Sequence, residues 1–255
     1  MSVAHRLRAM TGWHWLVLFA GLLMAWGALY AMSLPAELRA AGRVMGAEFW
    51  AALCTVTPDA AGYGRIVLMW ALMSAAMMAP TSLPAFATYD ELAHTGQTRF
   101  GQLVAGYLLV WLGFSVLAGA VQMGLFRADL VSAFGDSRST LLSAGLLIGA
   151  GAYQFSALKE ACLAKCRAPF AFFMQHWDEG PWRNGIRLGL VCLGCCWALM
   201  LLAFVGGVMN VGFMALAMVI MVLEKLPDLG RYVTRPLGVG LIAAGLWIGL
   251  QVLIH

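Results

Sequence analysis

The sequence predicts an all-α polytopic membrane bundle of about seven spans, with its N-terminus in the cytoplasm. Three observations carry that expectation. Hydrophobic residues make up 62% of the chain and charged residues 11%, where a soluble domain carries about 25% charged residues. The mean hydropathy is +0.82. Apolar runs recur at bilayer length, since a hydrocarbon core of about 30 Å needs about 20 helical residues. They fall near residues 13–34, 65–87, 101–125, 139–158, 185–206, 208–226 and 236–254, within a single domain 1–255.

Orientation follows from the basic residues. In an alternating seven-span order the inner segments hold Arg6, Arg8, Arg99, Lys159, Lys165, Arg167, Arg183, Arg187, Lys225, Arg231 and Arg235. The outer ones hold only Arg39, Arg43, Arg65, Arg127 and Arg138. Eleven against five puts the N-terminus inside. No basic cluster suggests nucleic acid. No P-loop, dinucleotide fingerprint or Ser/His/Asp set appears, which disfavours ATP-driven pumping, hydrolysis and an enzyme in general.

The first run starts after His5, Arg6 and Arg8 and extends from Trp13 to about Pro35. It is longer than a signal-peptide core and reads as a retained helix. The loop near 35–64 mixes charged and apolar residues, as an interfacial helix does, and Cys54 reads there as a small buried apolar residue. In the second span Met69, Met73 and Met77 share a helix face, with Met78 beside them. They are core fillers or, as thioethers, soft ligands. Pro80 has no N–H for the carbonyl of Ala76, so a neighbouring helix must satisfy that oxygen. Pro84 is expected to end the span, and Asp90, Glu91 and His94 to form a solvated face. In the third span Tyr107 and Trp111 read as packing. In the fourth, Gly145, Gly149 and Gly151 offer a small-residue surface for a close helix.

The segment Gly151–Trp197 holds five of the six cysteines. Helix is expected to run on to about Arg167, because the residue before Pro169 disfavours helix. Cys162 and Cys166 then lie one turn apart on one face, with Lys159, Lys165 and Arg167 pointing to the headgroups. Residues 159–184 form an interfacial cytoplasmic segment with belt aromatics. Cys192, Cys195 and Cys196 cover an arc of about 100° on the next helix, and Met200 extends it. By length alone, Met77, Met78 and Pro80 lie at the same depth. The uncharged stretch Ile186–Leu223 is too long for one crossing, so the chain turns at Gly206, Gly207, Asn210 and Gly212, or breaks into half-helices. Glu224 is an interfacial charge or a carboxylate near the cysteines. The last run, with Gly238, Gly240, Gly245 and Gly249, reads as packing.

Three readings of the cysteines compete. They are small apolar packing residues. They are a soft-metal site of Cys162, Cys166, Cys192, Cys195 and Cys196 with Met77, Met78 and Met200, and with Glu224, Tyr153 and Gln154 around it. Or they are a thiol–disulfide relay. Sulfur donors without a nearby histidine favour Cu(I), with Zn(II) as the alternative. The leading expectation is a protein that binds Cu(I) for handling, delivery or transport. A structural subunit without its own site is a further alternative. The partners implied are the bilayer, a metal chaperone or thiol protein, and further copies or subunits of a membrane complex.

The strings GAYQFSALKEACLAKCRAP, LGLVCLGCCWALMLLAFVGGVMN, EKLP and MWALMSAAMMAP resemble a bacterial family designated domain of unknown function 2182. The likeness covers roughly residues 68–237. It implies a metal-binding integral protein of the bacterial cytoplasmic (inner) membrane.

Overall fold

The structure is a computed structural model, and it describes residues 12–34, 57, 59–92 and 99–254. Cys54, His94 and most of the first long loop lie outside the described residues. The described residues form ten α-helices and no strand. They are α1 (Trp13–Ser33), α2 (Ala60–Leu92), α3 (Phe100–Arg127), α4 (Thr140–Tyr153) and α5 (Ala157–Arg167), then α6 (Pro169–His176), α7 (Gly180–Leu201), α8 (Ala203–Gly206), α9 (Val211–Lys225) and α10 (Gly230–Ile254).

Among the described residues, five stretches are long and apolar enough to cross a bilayer: α1, α2, α3, the run Pro169–Gly206 that contains α7, and Gly230–Val252. A sixth is the pair α4 and α5 if they count together, though they are bent by 61°. The expected span at 208–226 is a shorter helix, α9, with 15 residues and a length of about 22 Å. Both its ends are fixed locally. The Asn210 side chain accepts from the Phe213 N–H, and Leu226 is extended ahead of Pro227. The reversal before it falls where the glycines suggested: Gly207 has φ +93°, a conformation that glycine adopts without strain.

α2 is the central helix, and it does not stop at Pro84. It runs on to Leu92 with Pro80 and Pro84 both inside it. The carbonyl that Pro80 leaves free is answered from α1, whose Trp26 indole N–H donates to the Ala76 oxygen at 3.0 Å. α1 is pinned again at the other end of α2. Trp15 donates to Asp90 at 2.9 Å, with His14 at 3.1 Å from the same oxygen. Asp90 is therefore buried, not part of a solvated face. The extra turns of α2 beyond Pro84 carry it under α1. The methionine ladder packs into the core, with Met69, Met73, Met77 and Met78 all buried.

Two close helix pairs frame the rest. α3 and α7 run parallel, with Gly185 against Leu103 and Gly189 against Tyr107 and Val110. α4 and α10 run antiparallel, with Gly151 against Gly238 and Ile242, and Gly245 against Ala144 and Ile148. Of the glycines expected to admit a neighbour on α4, only Gly151 does so; Gly145 and Gly149 face open space, as does Gly240 on α10. Helix does not continue from Tyr153 to Arg167. It breaks at Gln154–Ser156, where the Ser156 hydroxyl caps α5 by accepting from the Lys159 N–H at 3.1 Å. A serine is a strong local N-cap, and the new helix leaves in another direction.

Candidate metal centre

α7 brings Cys192, Cys195 and Cys196 to one buried face because positions i, i+3 and i+4 share a side of a helix. Their three sulfurs all lie within 4.8 Å of one another. The Cys195 and Cys196 sulfurs are 3.3 Å apart. α5 crosses this face. Its Cys166 places a sulfur 4.0 Å from Cys195 Sγ. Its Cys162 lies against Gly194, where an added Cβ would fall 2.6 Å from the cysteine sulfur. Gly194 therefore gives Cys162 its place, and the break at Gln154–Ser156 turns α5 towards α7. All five described cysteines are free thiols.

Polar groups gather round Cys192. Lys225 Nζ, from the C-terminal end of α9, donates to its sulfur at 3.0 Å and to Thr81 Oγ1 at 2.6 Å. The Tyr107 hydroxyl is 3.1 Å from the same sulfur and donates to the Met78 carbonyl at 2.8 Å. Ser82 lies 3.8 Å from that sulfur and donates to Tyr107 at 2.9 Å. Lys225 is buried and makes no ion pair with a carboxylate among the described residues. A buried ammonium needs a counter-charge, and the ionisable group within its reach is the Cys192 thiol.

A second charge cluster braces the first. Lys159 and Glu224 form an ion pair of 2.8 Å, with side chains about 1% exposed. The Arg167 guanidinium donates twice to the Glu224 carbonyl, at 3.0 and 2.8 Å. Lys159 thus points into the protein, not to the headgroups, and Glu224 is neither a solvated charge nor a group against the sulfurs. It ties the end of α9 to α5, while the adjacent Lys225 ties it to α7 and α2.

The other expected site residues divide. Tyr153 reaches the site's edge by donating to the Gly194 carbonyl. Gln154 does not; it packs against Gly238 of α10 and lines a separate cavity. Met77, Met78 and Met200 are buried in the same core, and Met78 meets the site through its backbone carbonyl. Lys225, Tyr107, Thr81 and Ser82 were missed in the sequence. A lysine at a helix end reads as a headgroup contact, and a tyrosine in an apolar helix reads as packing.

The donor set suits a soft ion. Thiolate–metal bonds of about 2.3 Å place sulfurs that share one ion about 4 Å apart. The separation of 4.0 Å between Cys166 and Cys195 matches that value, and the 3.3 Å between Cys195 and Cys196 is somewhat shorter. Thiolates select Cu(I) or zinc over hard cations. A cavity of about 410 Å³ adjoins the cluster, lined by Cys166, Lys225, Thr81, Ser82, Arg167 and Phe170 among others. One face of the site is therefore reachable through Cys166.

No curated protein and no solved structure matches the chain. A family model described as a copper chaperone, PpoB2, matches residues 67–248. The resemblance drawn from the cysteine strings holds at the level of a metal-related family, although the matching model carries this name and not the domain-of-unknown-function label. The match takes in every described cysteine and most of the chain, so the protein belongs to the PpoB2 copper chaperone family.

Proposed function

We propose that the protein is a membrane-embedded carrier of Cu(I), which it holds at Cys192, Cys195 and Cys196 and exchanges through Cys166. The observation that carries this reading is the buried three-sulfur cluster with a fourth sulfur at 4.0 Å that also lines an open cavity. Copper is the cargo. It passes between thiolates by stepwise exchange, which needs each sulfur within reach of the next. Cys166, Cys195 and Cys196 form such a row. Lys225 supplies positive charge against the anionic sulfurs, and the Tyr107 hydroxyl lies 3.1 Å from Cys192 Sγ. The long apolar helices support a cluster inside a bilayer, and the charge pattern and the resemblance support the cytoplasmic half of a bacterial inner membrane. A soluble thiol-bearing metal carrier is the partner that fits the Cys166 face.

A second reading has its own observation. The close approach of Cys166 and Cys195 suits a thiol–disulfide relay as well as a metal gate. The test is elemental analysis of the purified protein, wild type beside Cys192→Ser/Cys195→Ser/Cys196→Ser, after loading with Cu(I) or Zn(II) under reducing conditions. One copper per chain in the wild type and none in the triple variant is expected. Equal copper in both overturns the reading. Zinc retained against a copper challenge redirects it to zinc, and a mixed disulfide trapped on Cys166→Ser at Cys195 favours the relay.

A further inference from the structure

The α4–α5 break leaves a cavity of about 940 Å³ apart from the cysteine cluster, bounded by α4, α5 and the start of α10. We infer that this cavity binds a phosphate group, either the headgroup phosphate of a phospholipid or a free phosphate ester. The volume is that of a small-ligand site. Arg231 and Arg235 line it from α10, one helical turn apart and on one face. Neither forms an ion pair with a described residue. Glu160, the acid on the lining, is 3.5 Å from Arg167, which answers its charge. The lining therefore carries the two guanidinium charges in excess.

The independent observation is Gln154. It lines the cavity and is 5% exposed, yet neither its side-chain oxygen nor its nitrogen has a hydrogen-bond partner. Native proteins rarely leave a buried amide unsatisfied on both atoms. The other polar groups nearby are engaged: Ser156 caps α5 and Thr234 donates to the Gly230 carbonyl. A phosphate supplies acceptors for the Gln154 amide N–H groups and for two guanidinium forks, which match it bidentately. An ester hydroxyl can donate to the Gln154 oxygen. Phe155 and Tyr232 are exposed at the rim, an apolar margin along which an acyl chain can lie.

The test uses the full chain, delipidated in detergent, with native mass spectrometry reading bound lipid. Phosphatidylglycerol is titrated beside a diacylglycerol of the same chains, which lacks the phosphoglycerol headgroup. The wild type is expected to hold phosphatidylglycerol and not diacylglycerol. Arg231→Gln/Arg235→Gln is expected to weaken binding by about tenfold or more, the scale of losing charge-assisted bonds. Gln154→Leu weakens it as well. Because both arginines are exposed, the double variant keeps its helicity and its copper content, which separates a failure here from a failure of the copper reading. Displacement of the lipid by millimolar inorganic phosphate assigns a soluble phosphate ester as ligand, and resistance to displacement assigns the lipid. Equal retention of both lipids by the wild type, or unchanged binding in the double arginine variant, overturns the inference.

Discussion

Lys225→Met tests the charge logic of the metal centre. The side chains are similar in length, so packing is largely kept, while the ammonium 3.0 Å from Cys192 Sγ is lost. At an effective dielectric of about 20, two unit charges at that distance interact by about 5 kcal/mol. In the copper-loaded site the negative charge is spread over several sulfurs, only one of which touches Lys225. About a third of that value, some 1.5–2 kcal/mol, is then the share felt by the bound ion, or about 10- to 30-fold in affinity. The assay is competition against a chromogenic Cu(I) chelator in detergent, with the wild type and Lys225→Arg alongside. Lys225→Arg keeps the charge and is expected to fall between them. If Lys225→Met binds copper as tightly as the wild type, or more tightly, the lysine competes with the ion and does not balance it, and the reasoning fails.

Three further perturbations test the frame around the centre. Trp26→Phe removes the donor to the Ala76 carbonyl and should cost about 1–2 kcal/mol in thermal unfolding. In a Pro80→Ala background, which restores a backbone N–H for that carbonyl, the cost should shrink, and a double-mutant cycle reads the coupling. Glu224→Gln leaves Lys159 buried without its carboxylate, a loss of about 3–5 kcal/mol. Pairing it with Lys159→Met should recover most of that loss, and an unrecovered pair would show that the ion pair itself holds α9 to α5. Gly151→Val would press a side chain onto the Gly238 carbonyl and Ile242 and lower the melting temperature through about 1–3 kcal/mol of overpacking. Gly149→Ala faces open space and should be neutral or stabilising by up to about 1 kcal/mol.

Much of the site was legible because its rules are local. The spacing of Cys192, Cys195 and Cys196 fixes a shared face as soon as the segment is a helix. Pro80 announces an orphaned carbonyl at Ala76 whatever the neighbour turns out to be. Gly207 and Asn210 mark a reversal by backbone chemistry alone. The misreadings concern helix ends, such as Pro84 and the break after Tyr153, and burial. Lys159 looks like a headgroup lysine, and Lys225 carries no signal of its own beside Glu224, because the group that each of them meets is remote in sequence. Their partners lie 65 and 33 positions away in the chain. Gln154 was placed with the cysteines by its sequence neighbours, but α4 ends at Tyr153, α5 starts anew from the Ser156 cap, and the Gln154 side chain packs against Gly238 of α10.

The sequence by itself determined that the chain is helical, how its apolar stretches divide, and that one helix offers three sulfurs on a single face, since helical period, proline and glycine act within a turn or two. Only the tertiary structure decided which groups surround those sulfurs. The bend before α5 brings Cys162 and Cys166 to α7, and the end of α9 puts an ammonium against Cys192. Counter-charge at a buried site is set by distance in space, and residues far apart in a chain acquire that distance only when their helices pack.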